Sequence, residues 1–257
     1  MMVLPALAVL AAFANIVEAV VGFGSTVLIV SIGSQFLSLE QLVPALLPLS
    51  LLLSSAIVVR NAEHVDSRLL LRRILPLTGL GMPIGFIAFQ EAPRDALLTV
   101  FGLFVVGFAS LEAVRLWRRA GGGPRIPLGP VSSALWLVTG GVIQGAFASG
   151  GPMIVYFAQR NLPDKMRFRA TLAALWLSLN SVLIVGHVRA GSFNGEVARV
   201  ALWLLPGVIA GILFGEKIHR RLPELGFRIL VVVMLLVAGL AVLGNAAPRV
   251  LATGGGI

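Results

Sequence analysis

Apolar residues fall along the chain in long stretches, at residues 3–36, 42–59, 74–89, 96–116, 131–158, 171–188, 200–214 and 227–243. Neither the one-sided stripe of a water-soluble helix nor the alternation of a barrel strand describes them. A helix that crosses a bilayer needs about 20 mostly apolar residues. The pattern therefore predicts an all-α polytopic membrane protein. The run 3–36 is too long for one simple crossing, and it is interrupted at Gly22-Phe23-Gly24-Ser25. The run 131–158 is interrupted in the same way at Ala148-Ser149-Gly150-Gly151-Pro152. In lipid, a backbone can leave the helix only where protein buries it or where it lines a cavity. Paired interruptions in two halves of a chain are the sequence pointer to a transport site.

The polar separators repeat as well. Pro76, Gly81, Gly85 and Pro93 recur 130 positions later as Pro206, Gly211, Gly215 and Pro223, and Gly24 recurs 126 positions later as Gly150. This predicts a first repeat over residues 1–120, a Gly-rich linker loop at 121–130 and a second repeat over 131–244. A mobile tail, 245–257, is expected to follow.

Charge decides how the repeats lie. If each interrupted run crosses once, the 20 Lys and Arg residues divide almost evenly between the two sides. If each run enters and returns, segments 60–73, 115–125, 160–169 and 217–228 share one side and hold sixteen of them, leaving Arg94, Arg189, Arg199 and Arg249 opposite. Positive loops stay cytoplasmic, so the second arrangement is expected. Each half is then an interrupted helical hairpin plus three transmembrane helices, and the halves are inverted repeats. The net charge of +9 becomes a matter of loops meeting anionic headgroups, and no nucleic-acid partner is expected. Residues 1–30 carry no Lys or Arg, so no cleavable signal peptide is expected. The absence of Cys removes disulfides and thiolate chemistry, and no metal site or cofactor is predicted.

The interruptions suit an anion, because N–H groups at the start of a half-helix point at a ligand and the helix dipole favours negative charge. The predicted substrate-binding residues are Gly22, Gly24, Ser25 and Thr26 at the first break and Ser149, Gly150 and Gly151 at the second. Ser54 and Asn180 on the helices that follow join them. Glu18 is the acidic residue deep in the first run, and an intramembrane carboxylate marks a functional site by default. It shares a helical face with Asn15 and Gly22, and Gln144 holds the equivalent place in the second half. Glu18, Asn15 and Gln144 are the predicted proton-coupling set, the alternative being that Glu18 braces the break. His187, near a helix end, is expected at the membrane interface and is set apart from the site.

The two Gly-rich breaks, the Pro–Gly–Gly spacing after each charged loop and the duplication resemble the sulfite exporter TauE/SafE family, also called the toluene-sulfonate uptake permeases. The likeness covers residues 14–243. It implies a bacterial inner-membrane permease for small sulfur-containing anions such as sulfite or organosulfonates, with the proton a candidate coupling ion. A carrier for another small solute and a non-transporting assembly subunit are the alternatives. An intramembrane enzyme would need clustered nucleophiles or metal ligands, and the three His residues at 64, 187 and 219 form no such cluster. Homo-oligomerisation stays open.

Overall fold

The computed structural model describes residues 3–119, 128–162 and 164–219, together with Val232, Val233, Leu236, Gly239, Leu240 and Gly244. Most of the predicted linker, most of the predicted span 227–243 and the tail 245–257 lie outside the described residues. The rest is helical: α1 (Val3–Val21), α2 (Ser25–Gly33), α3 (Leu39–Arg60), a 3-10 turn (Ala62–His64), α4 (Ser67–Leu69), a π turn (Leu70–Ile74), α5 (Leu75–Glu91), α6 (Arg94–Arg119), α7 (Pro130–Phe147), α8 (Gly151–Asn161), α9 (Lys165–Arg189) and α10 (Gly195–His219). Among the described residues, seven helical segments are long and apolar enough to cross a membrane. Leu80, Ile84 and Ile87 on α5 and Leu202, Leu213 and Phe214 on α10 point outward. A surface of that kind is a liability in water and is suited to lipid.

Several helices run further into the charged segments than the apolar pattern predicts, because side chains cap them there. Asp164 accepts from Arg167 N at 2.8 Å and Asp66 from Leu69 N at 2.9 Å. Each supplies an acceptor to a helix start that lacks one.

Both predicted breaks are present. Between α1 and α2 the backbone turns through Gly22 (φ 93) and Gly24 (φ 113), a left-handed region that L side chains enter at a cost of roughly 1–2 kcal/mol. Between α7 and α8 the positive φ falls on Ala148 (φ 49), a non-glycine residue held against that preference. α2 has nine residues and at 1.5 Å per residue reaches roughly 14 Å, about half of a ~30 Å hydrocarbon core.

The directions of the helices follow from which residues meet. Gly207, Gly211 and Gly215 face Ala11, Asn15 and Ala19 in turn, so α1 and α10 run parallel. Gly81 lies against Val138 and Gly85 against Val142 and Ala146, so α5 and α7 run parallel too. Both seams need glycine: a Cβ on Gly85 would sit 1.8 Å from Val142 O, and one on Gly215 would sit 2.2 Å from Ala19 Cβ. Gln41 bonds Glu196 and Arg60 bonds Ile212 O, which makes α3 parallel to α10. Asp66 N, just beyond α3, donates to Thr171 Oγ1 near the start of α9, whereas Ser50 within α3 meets Asn180 well along α9. Those two helices are therefore antiparallel. Phe86 packs on Gly186 and on the His187 ring at the far ends of α5 and α9. With the chain just before α5 already beside the start of α9, those two run the same way. The chain thus traverses α1 and α3 in one direction, and α7 and α9 in the other.

His187, near the end of α9, has its ring enclosed by other side chains. It is fully buried within the protein, with Phe86 and Phe89 ring centroids at 5.0 and 5.5 Å and Ser192 Oγ 3.1 Å from Nδ1. The aromatic end of α5 covers it, a tertiary effect that position near a helix end does not reveal.

Candidate functional site

Each break is tied by a side chain reaching forward from the helix before it. Glu18, at the end of α1, accepts from the backbone N–H of Ser25 at 3.1 Å and also from the Ser25 hydroxyl. Gln144, near the end of α7, uses Oε1 to accept from Gly150 N at 2.8 Å. The first N–H groups of a helix have no partner within that helix. Here the two side chains supply one partner each at equivalent positions, one acidic and one neutral.

Gln144 continues the network. Its Nε2 donates to Asn180 Oδ1 at 2.7 Å, and Asn180 Nδ2 donates to Ser50 Oγ at 2.9 Å. The second break is thereby linked through α9 to α3. The first break is tied to α9 by Trp176, whose Nε1 donates to Gly22 O at 2.9 Å. The breaks also meet each other: a Cβ built on Gly151 would lie 3.4 Å from Phe23 Cδ2.

Between them is a narrow crevice. Its polar wall consists of Glu18, Thr26, Ser50, Gln144, Ser149 and Asn180, and its apolar wall includes Phe23, Val27 and Trp176. Gly24 and Gly151 bring backbone from both breaks to it. Ser149 Oγ is buried with no hydrogen-bond partner. Leaving a buried hydroxyl unpaired costs roughly 1–3 kcal/mol, which a bound acceptor would offset. Ala148, with its strained φ, lines the same space, and strain of this kind gathers at functional sites.

Of the residues predicted from sequence, Glu18, Gly24, Thr26, Gln144, Ser149, Gly151 and Asn180 border the crevice. Ser25, Gly22 and Gly150 stand behind it, as the partners of Glu18, Trp176 and Gln144. Ser54 is buried but is not among the lining residues, and Ser50, one turn earlier, occupies the wall instead. Asn15 turns away: its Nδ2 donates to Ala11 O at 2.8 Å and its backbone packs on Gly211. Trp176 and Phe23 were not singled out by sequence reasoning. The available signal for Trp176 was its place one turn before Asn180 on the same face of α9. Among the described residues no group of acidic and His side chains is arranged to hold a metal.

The family model described as sulfite exporter TauE/SafE matches residues 7–242. The chain is 27% identical over 172 residues to the probable inner membrane transporter protein TsaS of Comamonas testosteroni, an alignment covering 65% of this chain and 69% of that protein. No solved structure matches. A family match spanning both breaks and the helices that carry them places the chain in the sulfite exporter TauE/SafE family.

Proposed function

We propose that this protein is a multi-pass inner-membrane permease for a small sulfur oxyanion or organosulfonate, built as two inverted repeats whose breaks share one binding site. The observation that carries the reading is the convergence of two half-helix starts and the unpartnered Ser149 hydroxyl on one crevice. Such starts favour a negative ligand through their N–H groups and dipoles. The oxyanion head would take donors from the polar wall, and an organic substituent would lie along Phe23 and Trp176. The opposed directions of α1 and α7, and of α3 and α9, support the inversion. Alternating access in such proteins is movement of one repeat against the other around a fixed site.

Purified protein in liposomes is expected to catalyse saturable flux of sulfite or p-toluenesulfonate. Each should compete with the other and neither should be displaced by neutral solutes of similar size. Flux of neutral solutes alone would favour the alternative of a different carrier, for which the amide pair Gln144–Asn180 would be the recognition element. No flux of any of these solutes would refute the reading.

The topology has its own test. Single cysteines at Arg68 and Arg167, both exposed, are expected to react with an impermeant thiol reagent from one side of the membrane. Cysteines at Arg94 and Arg189, also exposed, should react from the other. Labelling of the first pair from opposite sides would overturn the inverted arrangement.

A further inference from the structure

We infer that Arg169 and Arg60 form a second anion-binding station on the basic side of the bundle, next to the central crevice, through which the anion passes. The inference rests on the anion-transport reading above. A separate, narrow cavity lies between α1, α3, α9 and α10. Arg60 and Arg169 line it along with small and apolar residues such as Ala19, Leu53 and Gly211, and none of its described lining residues is acidic. Arg60 sits at the exposed end of α3 with Nη1 donating to Ile212 O at 3.1 Å. Arg169 is different, because it is only 4% exposed.

A basic residue that merely sets topology or meets headgroups belongs at the membrane surface. An arginine buried within a membrane bundle is costly and marks an ion or substrate pathway by default. Its planar guanidinium matches an oxyanion in a two-bond geometry that an ammonium cannot reproduce.

Arg169 also lies against the first break. Gly22 of the first break packs directly on it, with Arg169 Cα 3.4 Å from the position a Gly22 Cβ would take. Trp176 lies seven residues beyond Arg169 on α9 and Asn180 eleven beyond, so all three share one helical face. Trp176 and Asn180 line the central crevice. One face of α9 thus carries a cation, then the indole that holds the first break through Gly22 O, then the amide of the central network. An anion leaving the crevice toward the basic side would meet the Arg60–Arg169 cavity next.

The test is sulfite flux in liposomes of known orientation, measured with sulfite presented to each face in turn. Arg169→Gln is expected to raise the KM for sulfite at the basic face by at least about tenfold, as for loss of a desolvated charge partner, and to leave the KM at the other face little changed. Arg169→Lys should recover part of the loss, since charge returns without the fork. Arg60→Gln, at an exposed position that folding tolerates, should shift the basic-face KM in the same direction by less. Equal KM changes at both faces, or none, in the Arg169 variants would assign Arg169 a structural role and overturn the inference. If Arg169→Gln does not fold, an unchanged basic-face KM in Arg60→Gln overturns it and a raised one supports it. Absence of sulfite and p-toluenesulfonate flux in the wild type would instead overturn the transport reading, and this inference with it.

Discussion

Gly150→Val is expected to abolish anion flux and to lower the thermal stability of the detergent-solubilised protein. The backbone at Gly150 is ordinary right-handed helix (φ −66, ψ −2), so the conflict comes from space and not from strain. A Cβ there would lie 2.2 Å from Gly140 O and 2.7 Å from Gln144 Cβ. The first obstacle is backbone, which cannot rotate away, and the second is the residue whose Oε1 holds Gly150 N. Valine would drive the end of α7 from the start of α8 and break the link from Gln144 through Asn180 to Ser50. Overpacking of a tight site costs about 1–3 kcal/mol of folding stability, and the displaced start of α8 no longer presents its N–H groups to the crevice. Gly24→Ala is the informative comparison. Gly24 has φ 113 with nothing within 4 Å of the added Cβ, so alanine meets strain of about 1–2 kcal/mol without a clash. It should fold with a lowered melting midpoint and keep more flux than Gly150→Val. Wild-type flux and stability in Gly150→Val would mean that the second break is not the rigid element described here.

The helices and both breaks were legible because the membrane imposes a coarse rule. Apolar runs of bilayer length must be helical, and small residues inside them mark departures from the helix. The glycine seams were legible for a different reason: Gly81, Gly85, Gly211 and Gly215 repeat at one spacing within helices, where small residues let neighbouring backbones approach closely. The lining of the crevice was less so. Sequence spacing groups Asn15 with Glu18 on one face, yet α10 packs closely against that face at Asn15, which then bonds its own helix. Choosing Ser50 over Ser54 requires the crossing of α3 and α9, fixed by contacts more than a hundred residues apart in sequence. Arg169 looked like one loop charge among many because the apolar run resumes only at Thr171. The cap from Asp164 extends α9 backward and carries Arg169 into the bundle. Gln144, by contrast, was found from its repeat-equivalent position alone, and its role as the counterpart of Glu18 follows from chemistry that both side chains share.

Glu18→Gln is expected to remove the pH dependence of anion transport while preserving anion binding. Glu18 both borders the crevice and holds the start of α2 through the N–H and hydroxyl of Ser25. A charged carboxylate in that wall repels an anion, whereas a protonated one can donate a hydrogen bond to it. If a proton and the anion are carried together, each must favour binding of the other by the same factor. The apparent affinity of the wild type for sulfite should then improve as pH falls. Glutamine keeps an oxygen acceptor for Ser25 N and adds a neutral donor, imitating the protonated acid. Gln144 already performs the equivalent capping in the second half with the same amide, so the substitution is one that this architecture accommodates. Glu18→Ala provides the contrast. It leaves Ser25 N and its hydroxyl without their acceptor inside the bundle, at roughly 1–3 kcal/mol for a buried unsatisfied group, and should lower thermal stability where Glu18→Gln does not. The measurement is sulfite flux across a series of pH values for wild type and both variants, paired with their melting midpoints. A Glu18→Gln protein that keeps the wild-type pH profile would reduce Glu18 to a brace for the first break.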